Sequence, residues 1–138
     1  MILLDTSGLL AAVDGAQRDH ARAAASLTAA AAPLLLSPFV LADLDYLLAR
    51  RVGARARQDL LAEVGRGAYR LAPFSAGDVE AARTVIDRHA DLGISLADAS
   101  IVVLAVYHGT QDVLTLDERH FRVLTANRKP LRLLPADA

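Results

Sequence analysis

The chain has 138 residues, 54% of them hydrophobic and 22% charged, a composition that builds a core and excludes a disordered chain. It contains no Cys, which rules out disulfides, thiolate metal sites and cysteine nucleophiles. Its 15 Lys and Arg against 16 Asp and Glu leave a net charge of -1, so any nucleic acid must be held by a local patch rather than a global field.

Ile2 to Asp5 predicts a buried strand closing in a carboxylate, after which Thr6 and Ser7 open a helix. Met1-Ile2-Leu3-Leu4 meets Asp5 too soon for a signal peptide. Past the Asp14-Gly15 turn, the Ala-rich stretch from Gln17 to Ala32 reads as a helix stopped by Pro33. Leu34 to Leu36 reads as a strand, and Ser37-Pro38 as the capped start of a helix to about Arg51. The uncharged run from Ala23 to Ala42 has the length of a membrane span, but Pro33 and Pro38 divide it into a helix end, a strand and a helix start. No membrane association is expected. Then follow a helix from Ala54 to Val64, a strand from Tyr69 to Ala72, a helix from Ser75 to about Ala90 and an almost wholly apolar helix from Leu96 to Tyr107. A strand at Val113 to Leu116, a helical turn at Asp117 to Phe121 and a last strand at Leu131 to Leu134 complete the chain. Strands alternating with helices predict an α/β fold, one domain over residues 1–138, with a mostly parallel sheet of about five strands covered on both faces.

Asp outnumbers Glu 13 to 3, although helix propensity favours Glu, so some aspartates are candidates for chemistry. Ligands of a parallel sheet bind at the carboxyl ends of its strands. Asp5 and Asp117 close two predicted strands there, while Asp43 and Asp98 lie near the starts of two helices on the same rim. Carboxylates gathered in this way repel one another unless a cation neutralises them, and oxygen ligands suit Mg2+ or Mn2+. Such an ion activates a water and offsets charge developing on a phosphate, which points to phosphodiester hydrolysis.

Plainer roles exist for each acid. Ser95-Leu96-Ala97-Asp98 is a capping box, as is Ser75-Ala76-Gly77-Asp78, and Asp117 can cap the turn that follows it. Asp43 and Asp45 stand about 200° apart on one helix, so only one can face the site; the other is expected to pair with an Arg of the next helix or of a dimer mate. The four His residues lack zinc-site spacing and read as structural. Arg119 and Arg122, close behind Asp117, are the candidates to grip substrate phosphates, whereas Arg50, Arg51, Arg55 and Arg57 read as a solvated helix face.

Four segments together carry a resemblance: Ile2-Leu3-Leu4-Asp5-Thr6-Ser7, the run from Ser37 to Leu48 with Asp43, the stretch from Asp91 to Ser100 with Asp98, and the run from Leu114 to Leu124 with Asp117. In this order they resemble PIN-domain proteins of the VapC toxin type. The resemblance implies a PIN-like three-layer fold and a small cytoplasmic endoribonuclease dependent on Mg2+ or Mn2+, usually a homodimer, held inactive by a VapB-type antitoxin. It implies that Asp5, Asp98 and Asp117 bind metal, with Thr6 or Ser7 supporting Asp5 and the metal's water shell. Asp43 departs from the pattern, since the family usually has Glu there; one methylene shorter, the Asp is expected to reach the ion through a bridging water.

Two other phosphate chemistries fit less well. An aspartyl-phosphate phosphatase needs a second acid two residues after the first, where this chain has Ser7, and a phosphoacceptor domain needs an acid after the third strand, where it has Pro73-Phe74-Ser75. The non-enzymatic alternative is a catalytically inactive PIN-like module acting as a protein-interaction partner.

Overall fold

A computed structural model describes residues 1–138. Its chain order is β1 (Ile2–Leu4), α1 (Thr6–Val13), α2 (His20–Ala29), β2 (Leu34–Leu36), α3 (Pro38–Arg51), α4 (Ala54–Gly65), β3 (Arg70–Leu71), α5 (Ala76–Arg88), α6 (Leu96–His108), β4 (Asp112–Leu114), α7 (Glu118–Phe121), β5 (Thr125–Ala126), β6 (Lys129–Pro130) and β7 (Arg132–Leu134). Five strands form one sheet in the order β3-β2-β1-β4-β7, every neighbouring pair parallel, as the alternation of strands and helices predicts. All three residues of β1 are buried, which is why the central strand is an unbroken apolar run rather than an alternating one.

Helix starts follow the sequence signals closely. Ser37 Oγ accepts from Phe39 N-H ahead of Pro38, and both Ser-x-x-Asp motifs form complete capping boxes at α5 and α6. α6 buries Ala99, Ile101, Leu104 and Ala105 among others, and ends on Gly109 in the left-handed conformation. The run from Ala23 to Ala42 divides into α2, β2 and α3 as expected, and no helix is long and apolar enough to cross a membrane.

Three segments differ from the sequence reading. α2 begins at His20 rather than Gln17, because Asp14 holds Ala16 N-H and the Gln17 amide in a separate turn. β4 stops at Leu114, since the next two backbone N-H groups after Thr115 bond to the hydroxyls of Ser7 and Thr115 instead of to a strand. A hairpin of β5 and β6 precedes the last strand; Asn127 and Arg128 turn it at positive φ, and the Gln111 amide ties it down through the carbonyls of Ala126, Lys129 and Pro130.

Gly8 lets α1 cross directly over the end of β4. A Cβ at this position would drive into the Leu114 carbonyl and the Thr115 nitrogen, both backbone atoms that cannot swing aside. Gly8→Ala is therefore expected to lower stability by about 1–3 kcal/mol despite its better helix propensity. Thermal melting checks this, and an unchanged or raised Tm would mean that α1 has room to move.

Candidate active site

The chain reverses its direction of growth across the sheet between β1 and β4, which opens a crevice at their carboxyl ends. Asp5 sits at its floor, only 4% exposed, with its N-H bonded to the Leu114 carbonyl at 2.9 Å. The hydroxyls of Ser7 and Thr115 both donate to Asp5 Oδ2, at 2.8 and 2.7 Å. The same two oxygens accept the N-H groups of Leu116 and Asp117, each at 2.9 Å. Two hydroxyls thus fasten the first acid to the loop that carries the last. Burial nevertheless dominates: desolvation pushes the Asp5 carboxyl up to about 6, against the pull of the Thr115 and Ser7 hydroxyls and with the Asp98 charge adding to the rise.

Asp98 reaches the crevice from the first turn of α6, where its Oδ2 also accepts Ser95 N-H at 3.2 Å. Asp117 caps α7 by accepting His120 N-H on Oδ1 at 3.0 Å. Asp43 comes from α3, whose start is set against α6 by a buried hydrogen bond of 2.7 Å between Ser37 and Ser100. Its carboxyl is raised by partial burial first and by the Asp98 charge second. Asp5, Thr6, Ser7, Asp43, Asp98 and Asp117 line a single open cleft of ≈ 350 Å³, to which Gln17 and Arg51 also contribute. Asp45 points elsewhere and pairs through both oxygens with Arg57 on α4, as the 200° separation requires.

This cleft fits a hard divalent cation. Its donors are carboxylate and hydroxyl oxygens, the ligands such ions take, and the buried Thr6 Oγ1 has no hydrogen-bond partner in the protein. Two like-charged carboxyls with raised pKa values, Asp5 and Asp43, face the same space, which a cation would relieve.

Several contacts around the cleft were not anticipated from the sequence. His120, read as structural, brings Nδ1 to 3.3 Å from Asp98 Oδ2 and 3.0 Å from Asp117 Oδ2; the signal was its spacing of three from Asp117, which on a capped turn puts it beside the cap. Thr115 and the Ser37–Ser100 pair went unnoticed because their partners are remote in sequence. Arg122, expected to grip phosphate, is already engaged: it donates to Glu118 Oε1 and to both oxygens of Asp137, the latter at 2.7 Å each, and these carboxylates raise its pKa. Arg119 is exposed and has no carboxylate partner.

Comparison with known proteins places the chain among relatives. The PIN-domain family model matches residues 2–126. The chain is 43% identical over 123 residues to Ribonuclease VapC26 of Mycobacterium tuberculosis, spanning 89% of this chain and 91% of that protein. Among solved structures it resembles VapC20 of the same organism, described as a sarcin-ricin loop cleaving toxin, with a TM-score of 0.79 and 26% identity over 85% of this chain and 90% of that one. FitAcB from Neisseria gonorrhoeae shares the fold at a TM-score of 0.56 and 24% identity, over 79% and 83% of the two chains.

Proposed function

The chain belongs to the PIN-domain family, and from that premise we propose that it is a metal-dependent endoribonuclease toxin of the VapBC type, one domain over residues 1–138. The observation that carries this reading is the convergence of Asp5, Asp43, Asp98 and Asp117, from four separate segments, on one cleft at the carboxyl rim of the sheet. The similarity to a VapC ribonuclease and to a VapC toxin supports the same chemistry.

Asp5, Asp98 and Asp117 would hold Mg2+ or Mn2+, with Asp43 acting through a water. When bound, the ion supplies a water of lowered pKa and offsets charge developing on the scissile phosphate. The protein's own part is positioning. Ser7 and Thr115 fix the Asp5 carboxylate by donating to one of its oxygens, and the Ser95 cap does the same for Asp98. Arg51, which lines the cleft, and the exposed Arg119, two residues after Asp117, supply cations for RNA phosphates. Arg122 joins them only by releasing Glu118 and Asp137. The partners are a VapB-type antitoxin and a second copy of the chain, in the cytoplasm; a bidentate Arg of the antitoxin suits the acidic cleft.

Purified protein incubated with single-stranded and looped RNA tests the proposal. Cleavage is expected with Mg2+ or Mn2+ and is expected to vanish in EDTA. Cleavage that persists in excess chelator, once contaminating nuclease is excluded, contradicts the metal mechanism. Absence of cleavage beside tight binding of the antitoxin favours the inactive interaction module.

A further inference from the structure

Resting on the metal reading above, we infer that His120 is a nitrogen ligand of the same cation, completing a mixed site with Asp98 and Asp117. The three side chains each bring one ligand atom to within 4.8 Å of the others. His120 Nδ1 stands 3.0 Å from Asp117 Oδ2 and 3.3 Å from Asp98 Oδ2, yet it is buried and aligned for a hydrogen bond with neither. A ring N-H serving as a clamp would aim along one of those lines. Nδ1 instead lies close to both oxygens with a hydrogen bond to neither. The spacing agrees, because two adjacent ligands of an octahedral ion, each about 2.1 Å from it, lie roughly 3 Å apart.

Local structure holds the ring in this place. Asp117 caps α7 through His120 N-H, so backbone and imidazole of one residue meet opposite oxygens of one carboxylate. The next residue, Phe121, is fully buried and anchors the short helix to the core, while His120, about 100° round the axis, sets its ring beside Asp98 and Asp117. The remaining histidines have no such setting: His20 Nδ1 bonds the Ala11 carbonyl, His108 packs edge-on against Tyr107, and His89 closes α5.

A nitrogen donor has a consequence for metal choice. Mg2+ prefers an all-oxygen shell, whereas transition ions accept imidazole readily, so the site is expected to favour Mn2+ over Mg2+. The test loads the full chain with Mn2+ and records pulsed electron paramagnetic resonance. Modulation from a coupled 14N is expected, changing to the 15N pattern when the protein is made with 15N-labelled histidine. His120→Gln, checked for an unchanged circular-dichroism melt, is expected to lose the coupling and to weaken Mn2+ binding about tenfold or more, with Mg2+ binding altered less than threefold. The labelled wild-type protein reads the coordination even if the variant folds poorly. Bound Mn2+ with no histidine coupling, or coupling that survives in a folded His120→Gln, overturns the inference alone. Failure of Mn2+ to bind, or binding indifferent to Asp98→Asn, overturns the metal reading with it.

Discussion

Replacing Asp43 with Ala is expected to slow RNA cleavage by roughly 10–100-fold with the fold intact, the loss typical of a group that acts on a metal through an intervening partner. The side chain lines the acidic cleft and carries no cap or ion pair that the helix needs. Asp43→Glu extends the carboxylate by one methylene and is expected to retain or raise the rate, since direct coordination then replaces the water bridge. Asp45→Ala gives the opposite result: cleavage within about threefold of wild type and a slightly lower Tm, because the residue's partner is Arg57 on α4, half-exposed, and such pairs contribute only ~0.2–1 kcal/mol. Rates and melts of all three variants decide the matter. A fully active Asp43→Ala beside an inactive, well-folded Asp45→Ala would reverse the assignment of the two acids.

Helix starts were the most legible part of the fold, because a cap is a local device. Ser37-Pro38, Ser75 with Asp78 and Ser95 with Asp98 each complete their hydrogen bonds within four residues, and a reader of the sequence sees both partners at once. The β5–β6 hairpin escaped notice because Asn127-Arg128 makes its turn without Gly, and the stabilising amide comes from Gln111. The end of β4 was misjudged for a related reason. Val113 to Leu116 reads as one apolar strand, but Leu116 N-H is taken by a hydroxyl 109 positions away.

That the acids share one cleft was legible because their positions follow from topology: a carboxylate after a buried strand lies at the ligand-binding rim whatever the loops do. What lay beyond reach was the set of groups that orient them. Thr115 looks like an ordinary strand residue until β4 is placed beside β1, when its hydroxyl reaches Asp5. Likewise Arg122 looks like a free cation until the end of the chain folds back and Asp137, whose carboxyl Arg122 holds down at about 2, occupies it. His120 was set aside because spacing among histidines was the criterion, while its partners are aspartates of two different elements.

In the metal-free protein, Asp5→Asn is expected to raise stability at pH 8 and to leave it unchanged or lower at pH 4. The wild-type carboxyl has a folded-state pKa of about 6 against a reference of 3.8, mainly because burial disfavours the anion. A raised pKa means that the folded chain holds its proton more tightly than the unfolded one, so the associated stability is fully present below pH 3.8 and is lost as pH rises through 6. The interval corresponds to ~3 kcal/mol once Asp5 is ionised, or a Tm difference of roughly 6–12 °C for a chain of this size. Asn keeps an oxygen that can accept from Ser7 and Thr115 but carries no charge to bury, so it escapes the loss. Adding Mg2+ or Mn2+ at pH 8 should then raise the wild-type Tm and leave the variant nearly unmoved, since an ion bound only by the folded state stabilises it by mass action. Melts in EDTA across pH 4 to 8, with wild type compared to variant at each pH, isolate this carboxyl from the other acids that titrate there. A difference between the two proteins that stays constant with pH would show that the Ser7 and Thr115 hydroxyls satisfy the anion fully, and that the cation is not needed to neutralise it.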